Sequence, residues 1–178
     1  ISVKSARGIS EDDEEVSAVT IMEGTPTLRA CSLGKLWVKG VSEPIVEDCA
    51  IEYLCVTSRA AGRYVGNEIG GHRKHSMCVE LESDVFPEFY RNTIVSRGKL
   101  GGVVFTGPST SCRFAYNTIS HCEHTALLGI DDPTNHTAGI TVQNGASPEL
   151  AYNVIHQYHT GVWVKNANTT PLLYSNHI

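Results

Sequence analysis

Three groups of residues in this sequence have side chains and spacing suited to chemistry. The first is histidine. His72, His75, His121, His124, His136, His156 and His159 all lie in polar stretches of variable length. The pairs His121/His124 and His156/His159 have the His-x-x-His spacing of zinc ligands. Such a pair binds one ion only when a fixed backbone aims both rings at it. These stretches read as turns, so the four residues are weak metal candidates and polar turn residues first. Cys122 lies between two of them, in 120–138 with Glu123, Asp131 and Asp132. A thiol–imidazole nucleophile needs a base placed in space, which sequence neighbours seldom provide.

The second group is a carboxylate pair, Glu80 and Glu82, in the segment VELE. On a strand both point to one side, about 7 Å apart. Such a pair can serve as general acid and base. No third acid or arginine accompanies them, so they also read as solvated carboxylates. The third group is Trp37-Val-Lys39 and Trp163-Val-Lys165, which hold both tryptophans of the chain. Exposed Trp is a frequent interface anchor and also stacks on sugar rings.

The elements that carry these residues repeat. Seven segments align without gaps: PTLRACSL (26–33), PIVEDCAI (44–51), GRYVGNEI (62–69), PEFYRNTI (87–94), CRFAYNTI (112–119), PELAYNVI (148–155) and PLLYSNHI (171–178). The third place is always apolar, the sixth is Cys31, Cys49, Asn67, Asn92, Asn117, Asn153 or Asn176, and the eighth is Leu or Ile. The sixth places are 18, 18, 25, 25, 36 and 23 residues apart. The variation falls mostly in the stretch after the eighth place. A second short alternating strand accompanies each repeat: VTIM (19–22), LWVK (36–39), LCVT (54–57), VELE (79–82), VVFT (103–106), ITVQ (140–143) and VWVK (162–165). Gly102, Gly139 and Gly161 each stand at or just before one. No stretch shows a helical apolar period.

A unit of short strands with one elastic turn cannot bury its own apolar face. Copies must stack, at about 4.8 Å, and bury it together. Equivalent side chains then lie in columns. An Asn column bonds up and down the stack, Asn suits the left-handed conformation a sharp turn needs, and Cys substitutes as a small buried residue. The expected fold is therefore all-β, a parallel β-helix of about seven coils with an Asn/Cys ladder. A leucine-rich repeat shares the L-x-x-[NC]-x-L tail, but it has one strand per unit and a helix or 3₁₀ turn behind it.

Charge sets the register of the second strand, because Lys39 and Lys165 cannot face a dry core. Leu36, Val38, Val162 and Val164 are thus expected to point inward. The outward pairs are then Thr20/Met22, Trp37/Lys39, Cys55/Thr57, Glu80/Glu82, Val104/Thr106, Thr141/Gln143 and Trp163/Lys165. The candidate binding residues are Trp37, Lys39, Glu80, Glu82, Trp163 and Lys165.

The Pro-x-φ-x-x-Asn-x-Ile-His element followed by Gly-φ-x-Val resembles the CASH-type right-handed parallel β-helix repeat, of pectin-lyase-like fold. That repeat occurs in carbohydrate-active enzymes and in F-box-associated and Shc-binding proteins. The resemblance covers residues 19–178 and implies a right-handed coil. It also implies that any catalysis would sit on the outward face of the second strand. Separated Asp residues with Gly-His-Gly, the family's hydrolase signature, are absent; Gly70-Gly71-His72 and Asp131-Asp132 are fragments of it. The repeat serves enzymes and scaffolds alike.

Residues 1–18 match poorly: ISVKSARG is expected to belong to an earlier coil, and SEDDEEVS (10–17) to form a solvated acidic loop. The 178 residues begin and end on isoleucine, as a fragment of a longer chain would. The net charge of −5 argues against nucleic acid or an anionic membrane as partner. No apolar run reaches membrane length. The six cysteines include no CxxC pair, and two fill ladder positions, which suits free thiols in a reducing, intracellular compartment. The sequons at Asn135 and Asn168 would then be unused. The resulting expectation is a non-catalytic scaffold or recognition module that takes a protein partner on its Trp-bearing sheet and needs no cofactor. The alternative is a fragment of a polysaccharide lyase or hydrolase acting on carbohydrate at the same face.

Overall fold

The structure is a computed structural model that describes residues 3–9, 15–70, 77–97, 101–122 and 137–178, with side chains from residue 18 onward. The described residues contain strands and turns and no helix. The strands stack mostly in parallel into two sheets, in the manner of a β-solenoid.

One sheet collects the first strand of every repeat. Its members are β3 (Thr27–Arg29), β5 (Ile45–Glu47), β7 (Arg63–Val65), β10 (Glu88–Tyr90), β13 (Arg113–Ala115), β16 (Glu149–Ala151) and β19 (Leu172–Tyr174). They pair in sequence order, all parallel and in register at the third place: Leu28, Val46, Tyr64, Phe89, Phe114, Leu150, Leu173. The middle of this column is dry. Tyr64 stacks on Phe89 at 4.5 Å between centroids, Phe89 meets Phe114 at 5.5 Å, and Phe105 meets Phe114 edge-on at 5.7 Å.

The other sheet forks. Its strands β2 (Glu15–Gly24), β4 (Ser32–Ser42) and β6 (Ala50–Thr57) are long, and β4 and β6 run through the eighth place and the second strand without a break. Beyond β6 each repeat gains residues between the two. Ala50 and Ile51 of β6 then support one branch: β8 (Glu68–Ile69), β11 (Thr93–Ser96), β14 (Thr118–His121) and β17 (Val154–His156). Leu54–Thr57 support the other: β9 (Val79–Glu82), β12 (Val103–Thr106), β15 (Ala138–Gln143) and β18 (Thr160–Val164). The elastic stretches of the sequence join one branch to the other in chain order, and 71–76, 98–100 and 123–136 within them lie outside the described residues.

The sixth-place ladder is continuous. Asn67, Asn92, Asn117 and Asn153 are buried, and each gives its backbone N–H and its Nδ2 hydrogen to Oδ1 of the Asn one repeat later. Cys49 N–H donates to Asn67 Oδ1 at 3.0 Å, and Cys31 N–H to Cys49 Sγ at 3.4 Å. Cysteine thus keeps the rung as a weaker acceptor. The left-handed residue is not the Asn, as the sequence suggested, but the one before it: Ala30, Asp48, Gly66, Arg91, Tyr116, Tyr152 and Ser175 have φ between 51° and 65°. The glycines before the second strand have a packing reason. A Cβ on Gly139 would stand 2.5 Å from Ile155 Cγ2, because the eighth-place Ile of the next repeat lies against this backbone.

Two expectations change. Val3–Ile9, β1, is not part of an earlier coil: it runs antiparallel to β2 from Val3↔Ile21 to Ile9↔Glu15 and closes that end of the sheet. The acidic segment enters β2 at Glu15, while 10–14 lie outside the described residues. Val162 and Val164 are in register with the buried Ile140 and Val142, yet Val162 is half-buried and Val164 is 45% exposed. They face inward on β18, the last strand of that branch among the described residues.

Candidate recognition face

The second-strand branch sets the outward side chains in columns. Register pairs run Thr20↔Trp37↔Cys55↔Glu80↔Val104↔Thr141↔Trp163, the column read from the lysines. A parallel column, Lys39↔Thr57↔Glu82↔Thr106↔Gln143, runs beside it. Trp37 and Trp163 are five layers apart, about 24 Å along the stack. They are 37% and 36% exposed, whereas Cys55, Val104 and Thr141 between them are 3%, 8% and 6% exposed. Between the two tryptophans the column thus holds three buried small side chains and the half-buried Glu80.

Both ends are held in place. Trp37 packs edge-on against Tyr53, with centroids 5.7 Å apart. Lys165 Nζ lies 3.4 Å from the Trp163 ring centroid, a cation–π contact that orients the indole. Glu80 is the charged group of the middle. Burial raises its pKa first, the Tyr53 hydroxyl beside it lowers it, and Glu82 raises it. The same burial pushes the Tyr53 hydroxyl far up and the Cys55 thiol up to about 11, so Cys55 is a thiol and not a thiolate nucleophile at neutral pH. Glu80 and Glu82 stand as the sequence places them, two apart on β9 and on one side. Among the described residues Glu80 and Glu82 are the sole acids of these columns.

Tyr53 was not singled out from the sequence. It precedes Cys55 by two residues on β6, so strand alternation alone places it on the same face. A second missed feature is a stripe of tyrosines along the other sheet. Tyr90, Tyr116, Tyr152 and Tyr174 follow one another in four consecutive repeats, with centroid separations of 5.1, 4.8 and 5.7 Å.

Of the described histidine candidates, His121 and His156 end strands β14 and β17 rather than lying in turns, and His159 follows in the bend after β17. His121 sits at the end of β14, with Nδ1 3.0 Å from the Cys122 carbonyl oxygen and its ring edge-on to Tyr158. His156 and His159 are exposed, and His124 lies outside the described residues. Among the described residues no three His, Cys, Asp or Glu side chains are grouped to hold a metal ion. None of the six cysteines is in a disulfide. Among the described residues no helix is long and apolar enough to cross a membrane. No family model, curated protein or solved structure matches the chain.

Proposed function

We propose that the chain is a right-handed parallel β-helix of about seven coils, similar to the CASH-type repeat, and that it works as a non-catalytic recognition module for a protein partner. Right-handedness follows the general preference of parallel strand crossovers. The observation that carries the function is the Trp37-to-Trp163 column. Two oriented indoles each keep about a third of their surface exposed over a sunken, weakly charged strip. Large aromatic side chains in such settings carry a disproportionate share of binding energy. Cys31 and Cys49 serve as ladder rungs in reduced form, which supports an intracellular setting.

The test compares partner capture by the parent chain with capture by Trp37→Ala and Trp163→Ala. Both positions are partly exposed, so folding is expected to survive, checked by circular dichroism and the urea midpoint. Loss of at least tenfold in affinity for either variant supports the reading. Unchanged capture by both overturns it. A second reading, a carbohydrate-active enzyme, is favoured by one observation: Glu80 has a raised pKa and shares one strand face with Glu82. That separation, about 7 Å, suits an acid–base pair with a water between them. Cleavage of acidic oligosaccharides, abolished by Glu80→Gln, would replace the first reading with the second.

A further inference from the structure

Cysteine fills two rungs of the ladder, and the two are adjacent. Cys31 and Cys49 hold the sixth place in the first and second repeats. The layers are pinned on both sides of the pair: Ala30 N–H donates to the Glu47 carbonyl at 3.0 Å and Ala50 N–H to the Cys31 carbonyl at 2.9 Å. Their Cα atoms are therefore one layer, about 4.8 Å, apart, inside the roughly 4.4–6.8 Å span of disulfides. The Cys49 side chain reaches into the layer of Cys31. Its Sγ lies 3.4 Å from Cys31 N and 3.7 Å from the Leu28 carbonyl oxygen. Burial raises the Cys49 pKa first, the Cys31 N–H lowers it, and the Cys31 side chain beside it raises it again. Cys31 is half-buried, whereas Cys49 is 2% exposed. Stacking of this kind is particular to the pair. Cys55 stands between Trp37 and Glu80 in its column, and Cys112 is level with Pro87 and Pro148 of the neighbouring repeats.

We propose that Cys31 and Cys49 are a thiol–disulfide exchange site, with a small disulfide of the glutathione class as the co-substrate. Cys31 is the thiol that meets the reagent, and Cys49, behind it, resolves the adduct. The Cys31 thiolate attacks one sulfur of the glutathione disulfide, forms a mixed disulfide and releases one glutathione thiolate. The Cys49 thiolate then attacks the Cys31 sulfur and releases the second. Two protein thiols lose two protons and two electrons, and the glutathione disulfide becomes two glutathiones. The bridge is a strained one. Its Cβ atoms must come to about 3.8 Å, closer than the layers stack, and strain makes a disulfide easier to reduce. The resting form is therefore the dithiol, and the bridge opens again in excess glutathione. The first layer can yield to it, because Leu28 and Leu33 on either side of Cys31 are half-buried rather than sealed. The bridge closes the chain between Cys31 and Cys49, a span that includes β4 with Trp37 and Lys39. The site itself does not depend on what the tryptophan column binds.

The test is disulfide mapping of the intact chain. The reduced protein is incubated with glutathione disulfide at mildly alkaline pH, blocked with iodoacetamide in urea, digested and read by mass spectrometry. A Cys31–Cys49 linked peptide pair is expected as the main product, lost again on adding excess glutathione. Cys49→Ser removes the resolving thiol, so glutathione bound at Cys31 should rise at least tenfold over the parent. Circular dichroism checks that this variant keeps the fold; if it does not, the map of the parent decides alone. Persistence of glutathione at Cys31 in the parent, with Cys49 carrying the iodoacetamide label, overturns the proposal. So does pairing of Cys31 with other cysteines as often as with Cys49, and so does a chain in which both cysteines stay reduced.

Discussion

Replacing Asn117 by leucine is the most direct challenge to the ladder. The two side chains are similar in size, so the substitution opens little space. Asn117 Oδ1 accepts from Asn92 N–H and Asn92 Nδ2, both at 2.9 Å, and Asn117 Nδ2 reaches the Phe89 carbonyl at 3.3 Å. Leucine therefore leaves two donors and one carbonyl without those partners, at a rung where Asn92, Asn117 and Asn153 are at most 1% exposed. Asn153 Oδ1 keeps the bond from the residue-117 backbone N–H. At about 1–3 kcal/mol per unsatisfied buried group, and with some relaxation, the cost is about 3–6 kcal/mol. That is a large part of the 5–15 kcal/mol typical of a domain. Asn176→Leu removes the same acceptor from Asn153, but Asn176 is itself only half-buried, and the change should cost less, about 1–3 kcal/mol. Asn117→Cys should fall between them, since Cys49 Sγ accepts from Cys31 N–H. Urea unfolding followed by circular dichroism measures all three, with m checked for constancy. A cost below about 1 kcal/mol for Asn117→Leu, or one equal to that of Asn176→Leu, would refute the claim that the ladder holds the layers together.

Further expectations concern charge, packing and thiols. Glu80 has a folded-state pKa above the ordinary 4.5, so the native chain binds more protons than the unfolded chain above that pH. Its unfavourable contribution is absent below the ordinary value and grows as pH rises through the raised one. Glu80→Gln should thus match the parent near pH 4 and be more stable at pH 7, by urea midpoints at both; a variant less stable at pH 7 would contradict this. Gly139→Ala would place a Cβ 2.5 Å from Ile155 Cγ2 and 3.0 Å from the Gly161 carbonyl oxygen, and should cost about 1–3 kcal/mol in urea unfolding. Iodoacetamide at pH 8 should label the half-buried Cys31 and Cys122 well before Cys55 and Cys112, whose thiols burial pushes up; equal rates by mass spectrometry would contradict the burial.

The stacked positions were the most legible in the sequence because each is constrained by its neighbours above and below. Leu28 to Leu173 and Cys31 to Asn176 repeat one chemistry because any other would face the same residue type one layer away. The ladder bonds accordingly span 18, 18, 25, 25, 36 and 23 residues, as the alignment requires. Outward positions carry no such constraint, and only the lysines of two WVK segments fixed their side. That sufficed for the Trp37-to-Trp163 column but not for Tyr53, which acts on Glu80 across a layer boundary. The closure by β1 was also out of reach, because an antiparallel strand shares no repeat position with the parallel strands.

The fifth place of the repeat shows why pattern and constraint can part. All seven residues there are left-handed, and six of them are not glycine. In isolation that conformation costs about 1–2 kcal/mol per residue. In the first six repeats the following Asn or Cys is bonded to the next rung, and the fifth-place N–H is bonded across layers as well: Ala30 to Glu47, Asp48 to Val65, Gly66 to Tyr90, Arg91 to Ala115, Tyr116 to Ala151 and Tyr152 to Tyr174. These bonds hold the turn whatever side chain occupies it. Sequence at the fifth place is therefore free of the fold, which is why it ranges over Ala, Asp, Gly, Arg, Tyr and Ser without a readable pattern. The same freedom lets Tyr116 and Tyr152 stack face to face at 4.8 Å, 48% and 46% exposed, on a corner whose geometry the ladder has already set. What varies in this chain, then, sits on a frame that does not, and the variable places are where its surface chemistry lies.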